Sequence, residues 1–535
     1  VTTDLDPRHP PATNRTPGPA ALLIALGVVV VMAAALLAWR WMAQASGPVA
    51  RPTVNLTPSP TATPSPTPEP VLIPLVPLTG AWSSETSISR AELAAALAGA
   101  GPSPRQVVIT AADLAPLAAQ LHIVPGPNVR TMDVAAVRAA IQAAPEALGI
   151  LRAEEVGLGV RVLGVDGVSL FGEQHLGDLA KWPLLVAEPA DAEPSSFDPG
   201  SVWTLAAGGD VMLDRTVYLR AVRDGLGPNY PWDGGFARIT GRVCCGAPGL
   251  PLAVGEQTGQ PGALRELLSG ADITLVNLEG PAPDEHSYHA DGYIFTMDPA
   301  LLSGLRDAGI DAVSLANNHI INGGQVGVVD TVRNLDAVGI AHFGAGADLT
   351  TARQPAWLTV RGLRIAALGY NAIRPDLGAT TTSAGAAPLD LAAARADIAA
   401  ARAAGADLVV VMPHWGTEYT DLLTDKQRTA ADGLVAAGAD LVLGSHSHWA
   451  GPIGMVRDHL VIYSLGDFVF DLNHDEQTQE AVIAELTFSG RTLVQVSLHP
   501  TLILDRSQPN LLDPATDGQP LLQAIRAASA GMLPW

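Results

Sequence analysis

Apolar and polar positions alternate in a regular way along much of this chain. From residue 201 to about 504, short apolar runs recur at 202–207, 273–276, 312–316, 365–368, 408–412, 441–443 and 460–464. Each is too short for a stable helix and is bounded by Gly, Asn or Pro, so each predicts a buried strand. Between them, apolar residues at helical spacing predict helices over 300–308, 326–338, 391–404 and 425–437. Strands alternating with helices predict a largely parallel sheet with helices outside. In such sheets, ligands bind beyond the carboxyl ends of the strands.

The N-terminal part patterns differently. Residues 1–19 are polar and Pro-rich and read as a disordered tail. Residues 20–39 form an uninterrupted apolar run that matches the ~30 Å hydrocarbon core of a bilayer. Trp39 and Trp41 suit an interface and Arg40 closes the run, so residues 20–42 are expected to be a transmembrane anchor. A signal peptide would need a small-residue cleavage site, and none follows cleanly. A core helix would not sit between Pro-rich flanks. Arg8 and Arg15 before the run balance Arg40 and Arg51 after it, so charge does not orient it. A large domain behind a single N-terminal anchor is expected outside the cytoplasm. Residues 43–70 (TPSPTATPSPTPEP at their end) are a Pro/Thr/Ser-rich linker that stays extended.

Residues 71–199 predict a small α/β domain. Ser89 and Glu92 form a capping box ahead of ELAAALAG, with a strand at 107–109, a helix at 134–143 and apolar runs at 147–152 and 160–168. The run ALGILR…VRVLGVDG…WPL is similar to part of a periplasmic solute-binding domain of the phosphate-binding type. It is too short for two lobes, and a structural spacer is the alternative. Residues 506–535 read as a C-terminal tail with a short helical run at 520–530.

Composition narrows the partners. The 535 residues carry a net charge of −22 and a pI near 4.8, and 48% are hydrophobic. No basic patch appears, which excludes a nucleic-acid binder. Cys244 and Cys245 are the only cysteines. Adjacent in sequence, they build neither a disulfide framework nor a zinc ribbon.

Candidate chemistry sits at the predicted strand ends. LVLGSHSHWAGP (441–452) carries His446 and His448 on a G-x-H-x-H loop, where two imidazoles can reach one small volume. Asp210 ends GGD, Glu279 lies in NLEG, Asn317, Asn318 and His319 form NNH, and His414 lies in PHWG. Taken singly, these are ordinary turn carboxylates, loop amides or core histidines. Together at one end of a sheet they supply the mixed oxygen and nitrogen donors of a two-metal hydrolytic centre.

Six motifs carry a resemblance. GDVMLDR (209–215), NLEGP (277–281), SLANNH (314–319), PHWGTEY (413–419), GSHSH (444–448) and IYSLGDFVFD (462–471) resemble, in order, the motifs of the poly-γ-glutamate capsule-synthesis (CapA-type) family. That family is similar to calcineurin-like metallophosphoesterases. The resemblance implies an α/β/β/α fold over 200–505, a β-sandwich flanked by helices. It implies Asp210 and Glu279 as metal carboxylates, with Glu279 bridging. Asn318, His414 and His446 would complete one site, His448 would join Asp210 in the other, and His319 would donate a proton. Asn317 supports the loop.

Departures refine the expectation. Met212 stands where metallophosphoesterases carry the histidine of D-x-H, and the capsule family shares this. Glu279 replaces the usual Asp, Asp214 replaces a Gly, Asp467 replaces the Asn of LGNF, and 244–260 looks like an insertion. A thioether is a poor ligand beside carboxylates. One tight divalent ion (Mn, Zn, Fe or Mg) and a weaker second are therefore expected. The implied function is a membrane-anchored extracytoplasmic protein of synthesis, export or processing of an anionic capsule polymer such as poly-γ-glutamate, acting as a metal-dependent hydrolase or transferase. The alternative is a non-catalytic polymer-binding or assembly component. Capsule synthesis and export proteins are the implied partners. Met212 disfavours an ordinary phosphodiesterase.

Overall fold

Two β-sheets face each other across an apolar core in the computed structural model, which describes residues 70–535 apart from 102–103, 145, 189–191 and 247–248. The expected anchor (20–42) and nearly all of the linker (43–70) lie outside the described residues. Among the described residues, no helix is long and apolar enough to cross a membrane.

The first sheet has ten strands. Its centre is Val202–Val211, flanked in parallel by Ile273–Leu278, then Ala312–Ser314 and Ala341–Phe343. On the other side run Glu480–Ser489, Thr492–Leu504 and Gln508–Leu512, each antiparallel to its predecessor. The expectation of a largely parallel sheet therefore holds for only half of it. The link from Ser489 to Thr492 is two residues long, which makes a hairpin and cannot make a crossover. The second sheet orders Ala356–Val360, Leu363–Asn371, Leu408–His414, Leu441–Leu443, His459–Ile462 and Ile453–Val456, and its four central strands are parallel.

Period-two patterning explains the layers. Trp203, Leu205 and Ala207 point into the space between the sheets, where they meet Ile365, Val410, Met412, Leu443 and Ile462. Ala206, Val276 and Val313 point the other way, onto Leu264, Leu268, Val328 and Leu335 of helices Ala263–Gly270 and Gly324–Val338. Val409, Val411 and Val442 do the same beneath Ile398 and Leu434 of helices Leu391–Ala403 and Asp425–Ala437. The last helix starts with a capping box between Thr424 and Gln427 and stops at Gly438 in the left-handed region. The layers are thus helix, sheet, sheet, helix.

Residues 71–188 build a separate sheet, ordered Val129–Thr131, Val107–Ile109, Leu148–Arg152, Val71–Gly80 and Val160–Val162, with Leu185–Glu188 beside Val71–Gly80. The Ser89–Glu92 capping box is present. This sheet is packed onto the larger one. Val202 and Val494 belong to its core, and Val162 N–H donates to Gln495 Oε1 at 2.7 Å. Pro68–Trp535 forms one compact unit.

One further sequence expectation changes. Residues 506–535 are not a tail. Gln508–Leu512 is a strand of the ten-stranded sheet, and helix Gln519–Ala528 buries Leu521 and Ile525 in the inter-sheet core. A five-residue strand behind a tight turn carries too few positions to announce a period. The segment 244–260 belongs to a hairpin at the sheet edge, Phe236–Cys244 with Pro251–Gln257, whose alternation is weak because most of its residues are exposed. Cys244 and Cys245 sit side by side at the end of the first hairpin strand and tie together no distant segments.

Candidate functional site

Every predicted ligand lies at the carboxyl end of a strand or in the loop that follows it. Val202–Val211 delivers Asp210, Ile273–Leu278 delivers Glu279, and Leu408–His414 delivers His414. Two close approaches make this geometry. A Cβ at Gly209 would meet the Gly466 carbonyl, and one at Gly444 would meet the Tyr463 carbonyl and the Trp415 indole. Glycine alone lets these strands end so near their neighbours. Beyond Gly444, His446 (φ 97°) and His448 (φ 60°) both adopt left-handed backbone conformations that turn their rings toward Asp210 and Glu279.

The contacts among them are short. Asp210 is fully buried. Its Oδ1 accepts from Asn277 Nδ2 at 2.7 Å and its Oδ2 from the His446 backbone N–H at 3.0 Å. His414 Nε2 is 2.8 Å from Asn318 Oδ1 and 3.1 Å from His446 Nδ1, and its Nδ1 is 2.8 Å from Ser445 Oγ. Glu279 Oε1 is 3.7 Å from His319 Nε2 and 3.9 Å from His414 Nε2. His448 Nδ1 lies 2.8 Å from Asp467 Oδ1 and 3.9 Å from Asp210 Oδ2. Asn317 supports the loop, donating to the Leu278 carbonyl at 2.8 Å and accepting from His319 N–H at 3.2 Å.

Among the described residues, two groups have donor atoms within 4.8 Å of one another: Asp210, Glu279 and His414, and Asp210, His448 and Asp467. Asp210 is common to both, a place that the resemblance gives to Glu279. Asp467 was not among the predicted ligands, and its signal was the Asp in LGDF where the family usually has Asn. Asn277, which orients Asp210, lay unread within NLEG. Met212 takes no part in either group. It is packed with Phe295, Phe470 and Ile503, and its sulfur accepts from Asp214 N–H.

Electrostatics match a cation centre. Both Glu279 oxygens and Asp467 Oδ2 are buried without a hydrogen-bond partner, which is costly for a carboxylate unless a cation compensates. Burial, then the neighbouring Asp210, pushes Glu279 well above the usual carboxylate range. Burial raises Asp210, and raises Asp467 to about 7. Burial, then nearby histidines, pulls His414 far down and His446 to about 3, and burial brings His319 to about 4. His448 is the exception. Burial opposes its charge, but Asp467, then Glu279 and Asp210, outweigh that and hold it at about 10. Three carboxylates thus face one imidazolium. Neutral imidazoles and unpaired carboxylates are the donors that divalent ions take, so the residues fit such ions.

A cavity of about 290 Å³ opens over the cluster, lined by Glu279, His319 and His448 together with Tyr293, Phe470 and Arg506. His319 stacks on Phe295 with ring centres 4.4 Å apart, and its Nδ1 is 3.0 Å from Asn322 Oδ1. That oxygen also accepts from Phe295 N–H. It is therefore an acceptor, so His319 carries its proton on Nδ1 and presents an Nε2 lone pair.

Residues 204–472 match the family described as bacterial capsule synthesis protein PGA_cap. The chain is 30% identical over 238 residues to capsule biosynthesis protein CapA of Bacillus anthracis, covering 43% of this chain and 58% of that protein. It is 32% identical over 287 residues to a probable polyglutamine synthesis accessory protein of Mycobacterium tuberculosis, covering 50% and 75%. The chain thus spans 58% of the length of the Bacillus relative. Among solved structures, it is similar to the Haemophilus influenzae NAD nucleotidase (TM-score 0.32, 12% identity, 62% of this chain and 63% of that one). A 5′-nucleotidase precursor of Thermus thermophilus gives a TM-score of 0.33 at 14% identity, covering 61% and 59%.

Proposed function

Because the chain belongs to the bacterial capsule synthesis protein family, we propose that it serves the synthesis of an anionic capsule polymer of the poly-γ-glutamate kind, as a metal-dependent hydrolase or transferase with a metallophosphoesterase-like site. One observation carries the reading: five buried donors, Asp210, Glu279, His414, His448 and Asp467, gather in two groups that share Asp210 beneath one cavity lined by Glu279 and His448, and neither Glu279 oxygen has a hydrogen-bond partner.

Asp210, Glu279, Asn318, His414 and His446 would hold one divalent ion, and Asp210, His448 and Asp467 the other. When bound, such ions polarise a scissile carbonyl or phosphoryl oxygen and acidify water. His448 must first give up its proton, so loading releases protons. His319 then does the proton transfer. Its Nε2 lone pair takes the proton of the attacking group, and the resulting imidazolium returns it to the leaving group. Phe295 and Asn322 hold the ring in the orientation for both steps.

The test is metal analysis of the purified full chain together with incubation on γ-linked glutamate polymer, following polymer length by size-exclusion chromatography. Shortening or transfer is expected, falling about 10²–10⁴-fold in His319→Ala at unchanged metal content. Intact polymer in the presence of metal-loaded protein would sink the catalytic reading. The second reading, a polymer-holding component of an assembly with capsule synthesis or export proteins, is favoured by burial: Asp210, Glu279 and His414 are at most 1% exposed. We further propose that residues 20–42 anchor the chain and that the folded part lies outside the cytoplasm. Protease added to intact spheroplasts should then digest it.

A further inference from the structure

Beside the metal cluster, two guanidiniums share one carboxylate. Asp471, 1% exposed, accepts from Arg215 Nη1 at 3.3 Å on Oδ1 and from Arg506 Nη2 at 3.4 Å on Oδ2. Arg506 Nε also donates to the Asp471 backbone carbonyl at 3.0 Å. Two cations against one anion leave a positive charge in excess. Arg215 is nearly buried, and its Nε has no partner. The Arg506 side chain is 48% exposed, and both arginines line the same cavity as Glu279, His319 and His448.

The backbone at these residues is left-handed, as it also is at arginines away from the cavity such as Arg361 and Arg457. Arg215 (φ 56°), Tyr419 (φ 59°), His448 (φ 60°) and Arg506 (φ 54°) all line this cavity and all adopt the left-handed region. Each such residue costs about 1–2 kcal/mol. Arg506 sits with Asp505 (φ 51°) in the turn between Thr492–Leu504 and Gln508–Leu512, where Gly or Asn would fit with less strain. What distinguishes Arg506 is its place: a half-exposed guanidinium on the rim of the cavity, free to meet a ligand there. Asp291 and Glu418 line the cavity as well, so the positive charge is local to the Asp471 end rather than general.

We propose that Arg506, with Arg215 behind it and Asp471 joining them, is a carboxylate-binding clamp that seats a free carboxylate of the polymer next to the metal cluster and so selects the acid form of the chain. A planar guanidinium fork matches a carboxylate in two parallel hydrogen bonds, which an ammonium cannot do. The inference rests on the reading that the ligand is a γ-linked glutamate polymer. The clamp itself requires only a carboxylate.

The experiment uses the full chain loaded with metal. A fluorescently labelled γ-linked glutamate oligomer and its fully amidated counterpart are titrated by anisotropy, and glutarate by calorimetry, against the unaltered protein, Arg506→Asn and Arg506→Lys. We expect the acid oligomer to bind at least 10-fold more tightly than the amide. Arg506→Asn should lose at least 10-fold for acid oligomer and glutarate, with unchanged amide binding, unchanged metal content and an unchanged or raised Tm. Arg506→Lys should fall between. If Arg506→Asn binds the acid oligomer as well as the unaltered protein does, the clamp is wrong and the proposed function stands. If the oligomer does not bind but glutarate does so through Arg506, the polymer reading is wrong and the clamp stands. Binding of neither ligand overturns the clamp.

Discussion

His448 Nδ1 and Asp467 Oδ1 are 2.8 Å apart, both buried, at the end of the strand pair that joins Asp467 to Asp210 in register. This pair supplies two of the three donors of the second group, and Asp467 adds a carboxylate where the family usually offers an amide. Met212, by contrast, faces an apolar cluster. Asn318 and His446 stand beside His414 in the first group and have no counterpart in the second, so the two groups are unequal in donor number.

In metal-free protein, Asp467→Asn removes the carboxylate that does most to keep His448 charged near pH 10. The His448 pKa should fall by one unit or more, read from its imidazole NMR signals against pH. On metal titration by calorimetry, the weaker of two unequal steps should lose about 10–100-fold in affinity. His446→Ala should remove the tighter step. Equal steps in the unaltered protein would contradict the asymmetry.

Glu279→Gln should act with opposite signs on the two forms. Burial and Asp210 raise the Glu279 pKa. A raised acid contributes stability that is full at low pH and is lost as pH rises through the folded value. The amide removes that loss, so metal-free Glu279→Gln should melt higher than its parent at pH 8. In excess metal it should melt lower, because a ligand charge is gone. Calorimetric melting with and without chelator decides between these signs.

Glu480 gives a pH dependence away from the site. It is 7% exposed, and burial, then Glu476, raises it from 4.5 to about 8 despite Arg242. Its contribution is full below about pH 4.5 and declines as pH rises to about 8. Glu480→Gln should match its parent at pH 4.5 and exceed it by up to about 5 kcal/mol at pH 8.5. Denaturant titrations at the two pH values measure this. An equal difference at both would rule Glu480 out as the source.

A chain ending at residue 505 should not fold stably. It lacks Asn510, whose Oδ1 accepts from Gly235 N–H at 2.8 Å, as well as buried Leu511, Leu512, Leu521 and Ile525. Losing four apolar side chains costs roughly 1.5–3 kcal/mol each, comparable to the whole stability of a domain. An insoluble or non-cooperatively melting product is expected. A sharp transition within a few degrees of the full chain would refute it.

Much of the site was legible in the sequence because its signals are local. A buried strand is a short apolar run, a turn is a glycine, and a ligand at a strand end sits within a few residues of both. The placement of Asp210, Glu279, Asn318, His414, His446 and His448 at five strand ends therefore followed from local pattern and motif, and the helix positions followed from period 3.6. The antiparallel half of the large sheet, the strand and helix after residue 505, and the docking of residues 71–188 were not legible, since partner choice and register are set by contacts between distant segments. The same holds for chemistry. That Asp210 is common to both donor groups, that Asp467 charges His448, that Met212 turns to Phe295 and Phe470, and that Arg215 and Arg506 meet on Asp471 all depend on residues about 20 to 290 positions apart. Sequence by itself determined which side chains stand at the strand ends. Only the tertiary structure decided which of them touch, because burial and distance, which set their charges, exist only once the sheets have closed on each other.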